Sequence, residues 1–198
     1  MKIDIDEKIR SHESYIQTLG KKGEKLILDE VTFKEIEFKD VDLSESFLTA
    51  CSFEGMKLEG VDFYRASLYS SVFSFTHINQ GSYVKSKADY TSFVKATISE
   101  TNFAKAELTE SDFSEAIIKN STFISADLRE ADFTNSFLEN IDFELTNIEE
   151  TIFKGATFKN IINLDLAMVE SINIGTVEEP VILEEELAIQ WIMNNVDE

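Results

Sequence analysis

Few side chains in this sequence have the makings of an active site. There is one cysteine, Cys51, and there are two histidines, His12 and His77. A cysteine nucleophile needs a basic neighbour to hold its thiolate, and two histidines alone do not complete a zinc site. None of the patterns G-x-x-x-x-G-K-S/T, G-x-S-x-G or H-E-x-x-H occurs, so the phosphate loop, nucleophile elbow and metalloprotease helix have no candidate. The reading is of a protein that is not an enzyme, with no catalytic residue, cofactor or metal. A single Cys also excludes an intramolecular disulfide. What remains is charge: 38 Asp and Glu against 18 Lys and Arg give −20 over 198 residues. Like charges repel nucleic acid and anionic lipid, so a basic protein partner is expected instead. No apolar run approaches the ~20 residues of a membrane helix, and residues 1–20 hold no signal-peptide block. The expectation is a soluble, cytoplasmic protein of one domain.

The elements that must position any binding residues are set by a period of five. From Leu28 to Phe158, every fifth residue over 27 consecutive positions is large and apolar, apart from Ala88. Two residues before each lies a small or β-branched one: Cys51, Val61, Ala66, Ser71, Thr76 and onward to Ser136, with Ile36, Met56 and Ile141 as large exceptions. Cys51 therefore reads as a packing residue. Between the two columns Asp or Asn recurs, at Asp42, Asp62, Asn102, Asp112, Asp127, Asp132, Asp142 and Asn147.

Five matches neither the 3.6 period of a helix nor the 2.0 period of a strand. It fits a solenoid in which each five-residue unit forms one side of a coil, with both columns pointing inward. Stacked coils would bury each other's interior at a strand spacing of about 4.7–4.9 Å. Along the large column Phe alternates with Leu or Ile. In a four-sided coil, Phe would then occupy one opposed pair of sides and Leu/Ile the other. Ala88 is the gap in this column, predicting a small cavity or local distortion there, and Ala88→Leu is expected to be tolerated or stabilising.

Units such as Ala126-Asp127-Leu128-Arg129-Glu130 and Ala131-Asp132-Phe133-Thr134-Asn135 resemble the small–Asp/Asn–Leu/Phe–x–x motif of the pentapeptide-repeat family. The resemblance implies an all-β fold, a right-handed four-sided parallel β-helix of 20 residues per coil, over residues 28–162. Residues 1–27 are expected to form an N-terminal helical cap, and 163–198 a C-terminal extension with a helix. The apolar residues Ile5, Ile9, Tyr15, Ile16 and Leu19 read as an amphipathic helix over residues 5–18, stopped near Gly20 and Gly23. The string His12-x-x-Tyr15-Ile16-x-Thr18-x-Gly20-x-x-Gly23 is similar to leader segments that precede such repeats in bacterial proteins. Beyond Pro180, the residues Leu183, Leu187, Trp191 and Ile192 belong to a second helix, either a cap or a dimerisation surface.

With 20 residues per coil, Glu110, Glu130 and Glu150 stack into an acidic ladder, and Asp89, Glu107, Asp127 and Glu149 share their side. Arg65, Lys85 and Lys105 form a basic ladder on another. The aromatics Tyr64, Tyr69, Phe75 and Tyr90 take outward positions and make a second candidate binding patch. The acidity is divided unevenly along the chain. Residues 1–27 carry six basic and five acidic side chains, residues 28–158 eleven and 24, and residues 159–198 one and nine.

Members of the family mimic DNA and bind type II topoisomerases such as gyrase. The resemblance therefore implies a gyrase-like partner with a basic surface, and no direct contact with nucleic acid or membrane. A departure from the quinolone-resistance members is that no projecting loop interrupts the repeat here. The alternative is a toxin-immunity or scaffold protein with a different partner, and a homodimer through the C-terminal helix is compatible with either.

Overall fold

The computed structural model describes residues 5–34 and 38–195; Ile36 of the small column lies outside them. The chain winds into a right-handed, four-sided parallel β-solenoid of about seven turns with a short helix at each terminus. The pairing interval is 20 residues: Thr97 pairs with Ile117, and Ile117 with Phe137. Each side is named here by its inward residue in the first coil, so that side 1 starts at Leu28, side 2 at Phe33, side 3 at Phe38 and side 4 at Leu43.

Side 3 is the most regular, a seven-stranded parallel sheet running from Phe38–Lys39 to Thr157–Ile162. The other sides pair over shorter stretches, as in Ser67–Lys87–Glu107 on side 1 and Asp112–Asp132–Ile152 on side 2. Every residue of the large column is buried. The expected alternation of Phe with Leu/Ile takes the form of two continuous ring stacks. On side 2, Phe93 and Phe113 lie 4.7 Å apart and Phe113 and Phe133 4.8 Å; on side 4, Tyr83 and Phe103 are 4.8 Å apart and Phe103 and Phe123 4.9 Å. In the middle of the rod ring separation thus equals strand spacing, and it widens to 5.9 Å between Phe123 and Phe143. The two stacks meet edge to face, Phe103 lying 6.0 Å from Phe93 and 6.1 Å from Phe113, the geometry that ring quadrupoles favour.

The corners explain the rest of the five-residue unit. Among the described residues, two after each large one the backbone turns in the left-handed region: Arg65, Tyr90, Glu110, Glu130 and Leu145 all have φ between 53° and 58°. On side 2, on side 4 and on most of side 1 the turn is closed by a backbone bond such as Ala106 N–H to the Phe103 carbonyl at 3.0 Å. The recurring Asp and Asn serve the same corners. All eight accept a hydrogen bond from the backbone N–H two residues on, as Asp112 does from Ser114 (2.8 Å) and Asp132 from Thr134 (2.7 Å). This is the local bond for which Asx residues are favoured in turns.

The parallel stacking continues past residue 162 after a short turn of 3-10 helix, Leu164–Leu166. Met168 pairs with Asn147, and Ile172 and Asn173 with Thr151 and Ile152. The interval there is 21, so the last coil carries one extra residue. Ser171–Asn173 then pairs antiparallel with Ile182–Glu184, which leads into helix α2 (Glu185–Asn194). Ala188 and Ile192 of α2 bury against the coil end, Trp191 meets Phe158 edge-on at 6.3 Å, and Asn195 accepts the Phe158 N–H at 3.2 Å.

At the other end, helix α1 (Ile5–Gln17) buries Ile9 and His12. Leu19, expected on its apolar face, is 90% exposed; the helix has already ended, and the Gly20 N–H caps the Tyr15 carbonyl at 2.8 Å with Gly20 at φ 79°. Among the described residues no helix is long and apolar enough to cross a membrane.

Candidate protein-binding surface

Side 1 and the corner that follows it hold the seven acidic residues expected on a binding face, Asp89, Glu107, Glu110, Asp127, Glu130, Glu149 and Glu150. The corner between sides 1 and 2 presents Glu110, Glu130 and Glu150, one per coil. Their backbone N–H groups bond to the carbonyls of Arg129 (3.0 Å), Glu149 (3.1 Å) and Ser171 (3.1 Å) in the next coil. The carboxylates therefore repeat at about the strand spacing. With Asp112, Asp132 and Ile152 of side 2 they form one wall of a cleft of about 470 Å3. The C-terminal hairpin supplies the other wall through Asn173, Val177, Pro180 and Ile182. Asn173 holds the hairpin in place, its Oδ1 accepting from Gly175 N (2.8 Å) and Val181 N (3.0 Å).

The flat part of side 1 is partly neutralised. Glu107 pairs with Lys87 at 3.9 Å, and Asp127 takes a two-pronged contact from Arg129, whose Nη2 lies 2.7 Å from Oδ2. The hydrogen bond from Arg129 holds the Asp127 carboxyl below its ordinary pKa. Asp89 accepts the Thr109 N–H at 2.9 Å, and partial burial pushes its pKa up. Glu149, Glu130 and Glu150 have no ion pair at contact distance among the described residues, although the field of Arg129 reaches Glu149 and Glu130. The outward-facing negative charge is therefore concentrated at the corner of the groove. Side 3 shows the contrast: Lys119, Glu139 and Lys159 alternate and pair at 2.7 and 3.2 Å, leaving little net field.

The expected basic ladder, Arg65, Lys85 and Lys105, lies on the corner between sides 4 and 1. The four outward aromatics do not form one patch. Tyr64 sits beside that corner, under Arg65 (5.2 Å) and Lys85 (5.9 Å). Tyr69 of side 1 packs at 5.2 Å on Tyr90, which stands on the corner that carries Glu110, and a hydrogen bond to Glu110 pushes the Tyr90 phenol pKa up to about 12. Phe75 is on the corner after side 2, with Lys95 5.8 Å from its ring. The five-residue spacing marks all four as outward but sends them to different sides.

In α2, Ile192 is buried, Trp191 is half-buried and Leu187 faces outward; Leu183, expected in this helix, lies instead on the strand Ile182–Glu184, half-buried and paired with Ile172. Cys51 is buried in the small column with its Sγ 3.6 Å from the Leu28 carbonyl, and burial pushes the thiol pKa up. His12 is buried under α1, while His77 is exposed on side 3. Among the described residues no cluster of His, Cys, Asp and Glu is arranged to hold a metal ion.

Position along the rod decides which carboxylates share a wall. The groove wall needed two things beyond the repeat: the assignment of corners and the return of the C-terminal hairpin. Only Pro180, a turn residue, signals the hairpin in the sequence.

A family model described as Pentapeptide repeats (8 copies) matches residues 28–78, and one described as Pentapeptide repeat region matches residues 96–163. No curated protein matches the chain. Solved structures similar to it include HetL, involved in heterocyst differentiation regulation in the cyanobacterium Nostoc sp. strain PCC 7120 (16% identity over 76% of this chain and 87% of that one, TM-score 0.34). Rfr23 from the cyanobacterium Cyanothece 51142 is 19% identical over 70% and 84%, with a TM-score of 0.39. QnrB1, a plasmid-mediated fluoroquinolone resistance protein, is 14% identical over 72% and 84%, with a TM-score of 0.37.

Proposed function

As this chain belongs to the pentapeptide-repeat family, we propose that it is a non-enzymatic protein that binds a basic protein surface along the acidic corner of its rod. The observation that carries the reading is the stacking of Glu110, Glu130 and Glu150 beside an apolar hairpin wall. One carboxylate per coil, at about 4.8 Å, makes a regular row of negative charge, more widely spaced than the ~3.4 Å axial rise between charges on one strand of DNA but of the same order. A rigid row of this kind offers a groove that normally takes up a phosphate backbone a substitute with its charges already in place. Type II topoisomerases such as gyrase have such a groove, and they are the first target we assign. A cytoplasmic location goes with that target. Homodimerisation through α2 would have only Leu187 of its expected residues facing outward, and binding does not depend on it.

The test is DNA supercoiling by gyrase with added protein, with and without ciprofloxacin. Inhibition of supercoiling, or protection from the drug, is expected at micromolar protein. No effect in either arm removes gyrase as the target. The second reading, a toxin-immunity or scaffold protein, is favoured by the apolar hairpin residues Val177 (72% exposed) and Ile182 (44% exposed), which a DNA mimic does not need. A toxin that binds the chain and is neutralised by it would decide for this reading.

A further inference from the structure

Four residues of one coil differ together from those stacked on either side. Gly81 stands where the adjacent coils have Val61 and Thr101, Tyr83 where they have Phe63 and Phe103, Ser86 where they have Ala66 and Ala106, and Ala88 where they have Leu68 and Leu108. All four are buried. They lie on successive inward positions of sides 4 and 1, so they face one interior space. Ala88 gives up the isopropyl end of Leu and Gly81 the three side-chain heavy atoms of Val61 or Thr101, while Tyr83 and Ser86 each add a hydroxyl oxygen. The deficit is about four heavy atoms, part of it taken up by the Tyr83 ring edge beside Gly81, and the coil has room for a water molecule.

The backbone does not close the space. Lys87 pairs with Ser67 and Glu107, and the Ala88 N–H reaches the Glu107 carbonyl at 2.7 Å. Neither the Tyr83 hydroxyl nor the Ser86 hydroxyl has a hydrogen-bond partner, a costly state for a buried polar group. Other inward hydroxyls, apart from Ser136, are satisfied: Ser71 bonds the Leu48 carbonyl at 2.5 Å, Thr91 that of Leu68 at 2.9 Å and Thr146 that of Phe123 at 2.7 Å. Ser86 could swing onto the Tyr83 carbonyl, as Ser46 and Ser111 do onto Leu43 and Leu108. The phenol has no such freedom, because its ring is clamped between Phe63 (4.9 Å) and Phe103 (4.8 Å).

We propose that this coil encloses a binding site for one water molecule, held by the Tyr83 and Ser86 hydroxyls in the space that Ala88 opens between Leu68 and Leu108. Two hydroxyl partners in an otherwise apolar interior are what a structural water requires, and they exclude a charged occupant. The site reverses the expectation drawn from the column alone, since filling the space with Leu would evict the water and strand both oxygens.

Thermal unfolding of four chains tests this: the unaltered protein, Ala88→Leu, Tyr83→Phe/Ser86→Ala, and the triple variant. Ala88→Leu is expected to lower Tm by about 2–4 °C for each stranded hydroxyl. In the Tyr83→Phe/Ser86→Ala chain the same change strands no oxygen, matches the neighbouring coils at all these positions but Gly81, and raises Tm. A rise of equal size in both backgrounds overturns the proposal. If Ala88→Leu does not fold, a crystal structure of the unaltered protein decides. Density within hydrogen-bond distance of both oxygens supports the site, and a dry gap with Ser86 turned onto the Tyr83 carbonyl refutes it.

Discussion

The backbone N–H of Leu26 donates a 3.0 Å hydrogen bond to Nδ1 of the buried His12, so one side chain joins helix α1 to the chain entering the first coil. The bond requires an unprotonated Nδ1. Burial, the largest influence, holds the His12 pKa below its ordinary 6.5; the Ser44 backbone, Asp42 and Glu45 raise it in part, and Lys25 lowers it.

The pH dependence follows from that shift. The unfolded chain takes up the proton near pH 6.5, the folded cap only at a lower pH. The contribution is complete above about pH 6.5, falls as the pH drops through that value and levels off below the folded pKa. Thermal melts should show this step, together with a shift of the Leu26 amide resonance. In a His12→Asn chain both should vanish, and persistence of the step there would mean that another group causes it.

Gly23 lies against α1 with φ 73°, and a Cβ at this position would collide with the Ser11 carbonyl oxygen. Gly23→Ala should lift the helix and open residues 5–25 to protease while leaving the coils resistant. Gly20→Ala, whose Cβ would meet only the Tyr15 ring at 3.3 Å, should have the smaller effect. Equal protease resistance of all three chains would show that α1 does not rely on this contact.

Phe103 stacks on Tyr83 and Phe123 and meets Phe93 and Phe113 edge-on. Phe103→Ala should cost about 3–5 kcal/mol in urea unfolding, and Phe103→Leu about 1.5 kcal/mol or less. Similar losses for both would show that ring stacking, more than volume, holds the coils together.

Leu145 occupies a left-handed corner at φ 55° and is 51% exposed. A side chain with a Cβ pays roughly 1–2 kcal/mol there, less for Asn, which can bond locally. Leu145→Asn should therefore raise stability by about 0.5–1 kcal/mol, measured by the same unfolding experiment. A loss would reveal that Leu145 makes a contact worth more than the strain.

Stacked carboxylates repel one another, and salt screens them. The combined change Glu110→Gln, Glu130→Gln and Glu150→Gln should raise Tm at low salt, with the gain shrinking as salt is added. The same chain should lose its effect on the basic partner. Retained partner binding would move the interface elsewhere on the rod.

The sequence made the interior legible because each inward position repeats with one chemical demand, satisfied by Phe93, Phe113 and Phe133 in turn. Its outward positions repeat in geometry but not in chemistry. Asp112 and Asp132 carry charge like Glu110 and Glu130, yet their carboxylates serve turn N–H groups. Lys87 and Arg129 interrupt the acidic side because they are stacked or adjacent partners of Glu107 and Asp127. Asn120, Asn140 and Asn160 form a ladder of amides at 2.6 and 2.7 Å, visible in the sequence only after the coil length is applied to the corners. The extra residue of the last coil breaks the period, and a broken period alone does not reveal that stacking goes on.

The C-terminal end also bears on how copies of the protein could meet. A solenoid that simply stopped after its last coil would end in a row of open strand edges. Such an end is a template for head-to-tail fibres. Here Ile182–Glu184 pairs antiparallel with the edge of Ser171–Asn173, and Asn195 occupies the Phe158 N–H. Backbone groups that a protofilament would need open are thereby taken up inside the chain.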